Sequence, residues 1–200
     1  MIKCLGLFIF CLLLSGVATA ASRYVVVGVS GYGTGRDGRG QPSGAHANLP
    51  QDSQFEVHQL VHKASPAELS EVLQSFRCSN GTQAEADLGL MIMANSWGAG
   101  KAVKLAQMYQ AQCGRLPALF VMIDGVSKPI GSFRKAIPAQ RCVNFYQTAS
   151  TIRGAAINGC ENTDLTPVCG GRGGLATCHI MVEWEGSQRG SSLLRAKLYH

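Results

Sequence analysis

The stretch LGLMIMA at 88–94, followed at once by NSWG at 95–98 and AGKAVKLA at 99–106, decides the fold. Leu88–Ala94 is apolar at every position, the mark of a strand covered on both faces rather than one. The next segment, Ala99–Gln112, changes to helical spacing through Ala102, Val103, Leu105, Ala106 and Tyr109, and stops at Gly114. Only four residues separate strand from helix, so the chain must turn abruptly there. Outward from this unit the pattern repeats. Tyr24–Val29, Phe55–Val61, Ala118–Ile123 and Cys142–Tyr146 read as strands. Ser65-Pro66-Ala67-Glu68 opens a helix with an N-cap serine, a proline in the first turn and a capping-box glutamate. Beyond Tyr146 the chain is loop-rich; Ile180–Trp184 reads as a short strand and Ser191–Leu198 as a closing helix. Buried strands alternating with helices predict an α/β domain, a mostly parallel sheet with helices on both faces. Its functional residues are expected at the carboxyl ends of the strands.

Residues 1–20 read as a cleavable signal peptide. Lys3 provides a positive start, Leu5–Leu14 a short apolar run, and Ala18-Thr19-Ala20 the small-residue cleavage pattern. The expectation is an exported protein, secreted or periplasmic, whose domain occupies residues 21–200 and holds no integral membrane segment. About 180 residues suffice for one domain with a sizeable core. Of eight cysteines, Cys4 and Cys11 fall in the signal, leaving Cys78, Cys113, Cys142, Cys160, Cys169 and Cys178. In an oxidising compartment that even set favours disulfides. Cys160–Cys169 is the expected pair because it closes a short loop, and Cys78–Cys113 would join two helix ends. The 18 Lys and Arg against 12 Asp and Glu are scattered and not interleaved with aromatics, which describes a solvated surface rather than a nucleic-acid site.

Ser96 stands where the strand turns into the helix. A sharp turn of this kind pushes one side chain out of the sheet edge and requires small residues two positions to either side, here Ala94 and Gly98. A serine nucleophile needs a base, and the base an orienting carboxylate. With a nucleophile on such a turn the partners follow in the order serine, acid, histidine. Of five histidines, His46, His58 and His62 precede Ser96 and His200 is terminal, which leaves His179. Two acids compete: Asp124, at the end of a buried strand, and Asp164, in the segment between Cys160 and Cys169. Gly33-Thr34-Gly35-Arg36-Asp37-Gly38 matches a dinucleotide fingerprint, but Arg39-Gly40-Gln41-Pro42 is a poor helix start, so no cofactor is expected. His58 and His62, four apart in a strand-like stretch, are a weak metal pair, and no metal is expected.

These motifs, LGLMIMANSWGAGKAVKLA at 88–106, VMIDGV at 121–126 and CHI at 178–180, resemble the α/β-hydrolase superfamily of lipases, esterases and thioesterases, at its small cutinase-like end. Ala94 departs from that superfamily's G-x-S-x-G. The resemblance implies a serine esterase acting on a small-molecule or lipid ester, with Ser96 attacking the acyl carbonyl and His179 moving the proton. It further implies an oxyanion hole from the Trp97 amide and the loop around Ser30-Gly31. Cys160-x-x-x-Asp164 resembles the cutinase acid segment and keeps Asp164 in contention. The alternative is a hydrolase-fold protein without activity that serves as a binding or interaction module.

Overall fold

In the computed structural model the described residues are 24–32, 44–78 and 88–197. The stretch read as a signal peptide, the G-x-G-x-x-G match and His200 lie outside them. The elements follow the order β1 (Tyr24–Ser30), β2 (Phe55–Val61), α1 (Pro66–Gln74), β3 (Gly89–Asn95) and α2 (Ala99–Cys113). They continue with β4 (Leu119–Ile123), a small antiparallel pair β5 (Val126–Ser127) and β6 (Gly131–Ser132), then β7 (Cys142–Tyr146), β8 (Glu161–Asp164) and α3 (Thr177–Ala196). β2, β1, β3, β4, β7 and β8 form, in that order, one six-stranded sheet with every pairing parallel. This is the α/β class read from the sequence.

Both faces of the sheet are covered, which explains the uninterrupted apolar strands. On one side Val25, Val27, Leu90, Ile92 and Phe120 pack against Leu69, Val72 and Leu73 of α1 and Ala102, Leu105 and Ala106 of α2. On the other, Val26, Met91, Met93, Val121 and Ile123 pack against Val182 and Leu194 of α3. Local signals fix the helix ends. Ser65 Oγ accepts from the Glu68 amide at 3.2 Å, and Glu68 Oε2 accepts from the Ser65 amide at 2.7 Å. Gly114, with φ 66°, ends α2 in the left-handed conformation.

The segment after Thr177 corrects the sequence reading. Ile180–Trp184 is no strand; with residues 191–196 it belongs to the single 20-residue helix α3. Two glycines interrupt its apolar pattern because the helix lies very close to the sheet. A Cβ at Gly186 would sit 2.6 Å from Ile123 Cγ2, and one at Gly190 would sit 2.7 Å from Met93 Sδ.

Among the described residues three disulfides join Cys78 to Cys113, Cys142 to Cys160 and Cys169 to Cys178. The first is the helix-end pair expected; the Cys160–Cys169 pairing is not formed. β8 runs between those two cysteines, and four extended residues at about 3.3 Å each carry them to opposite ends of the strand, beyond bridging distance. Parallel register sets Val143 beside Glu161, so Cys142 and Cys160 meet at the start of β7 and β8. Cys169 meets Cys178 at the start of α3. Three bridges suit an oxidising compartment. No helix among the described residues is long and apolar enough to cross a membrane.

Candidate active site

β2 lies on one side of β1 and β3 on the other, so the chain reverses its direction of winding between β1 and β3. Crevices form at the carboxyl ends of strands at such a switch point. Gly31 follows β1 there, and Ser96 follows β3. Ser96 has φ 51°, a left-handed backbone that costs a non-glycine residue about 1–3 kcal/mol and that only the surrounding packing sustains. The packing is tight: a Cβ on Gly98 would collide with the Val29 carbonyl of β1, while Ala94 is wholly buried. A Cβ on Gly31 would lie 2.5 Å from Ser96 Cβ and 3.0 Å from both Ser96 Oγ and the Trp97 amide nitrogen. Any side chain at this position would therefore collide with the serine and crowd that amide.

His179 stands in the first turn of α3. Its Nε2 is 2.9 Å from Ser96 Oγ, and its Nδ1 is 2.5 Å from Asp124 Oδ2. Asp124 is an acceptor, so Nδ1 carries the proton, and neutral Nε2 accepts from the serine hydroxyl. Asp124, directly after β4, is fully buried with φ 44°. Its Oδ1 accepts from the amides of Gly154, at 2.6 Å, and Gln147, at 3.1 Å, while Oδ2 also accepts from Gln147 Nε2 at 2.9 Å. With His179, four donors meet the four lone-pair sites of one carboxylate. Burial pulls the His179 imidazole down. The hydrogen bond to Asp124 and the charges of Glu183 and Asp124 outweigh it and hold the imidazole above the ordinary histidine value.

Of the sequence candidates, Ser96, Asp124 and His179 are thus brought together, with Trp97 and Gly31 beside the serine. Asp164 is not. It closes the edge strand β8, exposed, where Oδ1 accepts from the Thr166 amide at 2.8 Å and hydroxyl at 2.5 Å. The other described histidines are engaged elsewhere. His46 Nε2 lies 3.1 Å from the Gly28 carbonyl and 2.9 Å from that of Leu60, and His58 bonds Glu56. His62 forms an aromatic wall with Tyr32 and Trp97, whose rings are 5.2 Å apart, with Lys128 Nζ 5.7 Å from the Trp97 centroid.

Three buried residues went unread in the sequence. Gln147 directly follows β7, so the rule of strand carboxyl ends pointed to it. Asn95 precedes the serine. Glu183, one turn after His179, reveals its place only once residues 177–196 are read as a single helix. Neither a protein-family model nor a curated protein matches the chain in sequence. What the structure defines is a parallel α/β protein with a buried hydroxyl–imidazole–carboxylate chain at its switch point.

Proposed function

We propose that this chain is an exported serine hydrolase, similar in plan to the small α/β hydrolases, that cleaves a carboxylic ester or thioester through an acyl-enzyme on Ser96. The observation that carries the reading is the continuous series Ser96 Oγ, His179 Nε2, His179 Nδ1 and Asp124 Oδ2. It stands on a strained left-handed turn at the sheet's switch point.

In this reading Ser96 Oγ attacks the acyl carbon while its proton passes to His179 Nε2. The carbonyl π pair moves onto oxygen, and the oxyanion occupies the space between Gly31 and the Trp97 amide, at the N-terminal end of the turn leading into α2. Collapse of the tetrahedral adduct breaks the bond to the leaving alcohol or thiol, which takes the proton from Nε2. Water then repeats the sequence: its proton goes to His179, its oxygen to the acyl carbon, and Ser96 is restored. Asp124 fixes the ring and supports the imidazolium at each step without taking the proton itself. No step calls on a metal or cofactor. The leader at residues 1–20 and the three disulfides support export.

A fluorophosphonate probe tests this. The mature protein is expected to be labelled, and Ser96→Ala to lose the label; a folded alanine variant that still reacts removes the assignment.

A further inference from the structure

Asp124 is not the only carboxylate at His179. Glu183, one helical turn on, places Oε1 3.3 Å from His179 Nε2, the nitrogen that also faces Ser96 Oγ. The residue is 8 % exposed, so its carboxyl group is largely shielded from water.

Its orientation is fixed from the other side. The Ala45 amide donates to Asn95 Oδ1 at 2.8 Å. An amide N–H can only donate, so Asn95 must present its Nδ2 in the opposite direction. There it donates to Glu183 Oε1 at 2.5 Å. Oε1 is consequently an acceptor whether or not the carboxyl holds a proton, since that proton would reside on Oε2. The close fit of Gly44 helps hold Asn95: a Cβ on Gly44 would be 2.7 Å from Asn95 Nδ2 and from Oδ1. The backbone of the 44–46 turn, the residue before the nucleophile and the imidazole are thus joined by one buried polar path.

We propose that Glu183 is a positioning residue for the hydrolysis described above, holding the imidazolium form of His179 through Nε2 while Asp124 holds it through Nδ1. The inference rests on the serine-hydrolase reading and extends it. When Ser96 gives up its proton, the new Nε2–H finds Glu183 Oε1 already in place. Positive charge forming on the ring then lies between two carboxyl groups. The proton remains on nitrogen and is returned to the leaving group, because Glu183 is held by Asn95 and lies farther from Nε2 than Ser96 does. Among the described residues, the charged groups acting on His179 are Asp124, from the end of β4, and Glu183, from α3 itself. Burial pushes the Glu183 carboxyl above its ordinary value, against the pull of the His179 charge and the Asn95 bond. At 3.3 Å the two groups are expected to titrate together.

Glu183→Gln separates charge from shape, because the glutamine oxygen still accepts from Asn95. The ring nitrogens of His179 are followed by NMR against pH in the wild type and in E183Q, beside the pH profile of kcat/KM for a p-nitrophenyl ester. The expected result is a His179 titration lower by about one pH unit or more in E183Q, with the acid limb of the profile moving down equally. Unchanged titration and an unchanged acid limb would overturn the proposal. In the wild type, the Glu183 carboxyl carbon and the His179 nitrogens are expected to share a titration step; two independent steps would overturn it even if E183Q does not fold. A wild-type protein that takes no fluorophosphonate label and cleaves no ester removes the hydrolase reading and the role in acyl transfer together. The His179 titration is read separately from both, so the two failures are distinguishable.

Discussion

Gly154 donates its amide to Asp124 Oδ1 at 2.6 Å, and a Cβ built on Gly154 would lie at that same distance from that same oxygen. The glycine is therefore required twice, as donor and as empty space. Gly154→Ala is expected to displace the Asp124 carboxylate. Misplacement by about 1 Å lowers catalytic rate by about 10²-fold, and steady-state esterase kinetics on the folded variant would measure it.

The two acids of the sequence reading make a sharper contrast. Asp124→Asn is expected to lower kcat by about 10⁴-fold, because the amide cannot hold the same histidine tautomer. Asp164→Asn is expected to leave kcat unchanged and, since the amide oxygen still accepts from Thr166, to cost less than about 1 kcal/mol of stability. A large loss of rate from Asp164→Asn would reverse the assignment.

Gly31→Ala addresses the proposed oxyanion site. The new methyl would lie 2.5 Å from Ser96 Cβ and 3.0 Å from both Ser96 Oγ and the Trp97 amide, so the serine must shift as the site is crowded. Loss of one oxyanion donor costs about 10²–10³-fold in kcat, and a loss of at least that size is expected here in steady-state esterase kinetics.

The pH dependence has a definite sign. Neutral His179 is the form that accepts the serine proton, and its titration lies above the ordinary value of 6.5. The rate should therefore fall as pH drops through a value above 6.5 and level off on the alkaline side, as a kcat/KM profile would show. For stability the same shift acts in the other direction. Native His179 holds its proton more tightly than the unfolded chain does, so its contribution is complete below 6.5 and is lost as pH rises through the native value.

Two disulfides should divide stability from activity. Cys78–Cys113 spans 35 residues and Cys169–Cys178 only 9, so loop-closure entropy makes the first the larger stabiliser. Replacing Cys78 and Cys113 by alanine is expected to cost about 4 kcal/mol, against about 3 kcal/mol for Cys169 and Cys178. The second replacement should nonetheless cost more activity, because Cys178 adjoins His179 and its amide is held by Ser150 Oγ at 3.0 Å. Urea unfolding and esterase rates on both variants would test the inversion.

Most of what could be read from sequence was local, with Cys78–Cys113 and the pairing of His179 with Ser96 the long-range exceptions. The run at 88–94 had to be a doubly covered strand, and Ser65 with Glu68 had to start a helix. Both signals lie within one element, and so does the turn that presents Ser96. The partners that failed depend on register across the sheet. Cys160 faces Cys142 only because Val143 pairs with Glu161. Asp164 is separated from His179 because β8 is the edge strand, two places from β4. Gly186 and Gly190 interrupt the apolar pattern of α3, and only Ile123 and Met93 packed against them show why a helix carries glycine there. Read as a strand and a separate helix, the segment hides the one-turn relation of Glu183 to His179.

Those glycines bear on more than packing. Ile123 and Asp124 are consecutive in the chain, and Gly186 and His179 lie two turns apart on one helix. Helix and strand end are thus pinned to each other at two points, one apolar and one hydrogen-bonded. A change in bulk at Ile123 or Gly186 is expected to pivot α3 about the first and swing the imidazole at the second. In the proposed hydrolase the rate is then geared to an apolar contact outside the Ser96–His179–Asp124 series, and substitutions made there for thermal resistance are expected to tune it as well.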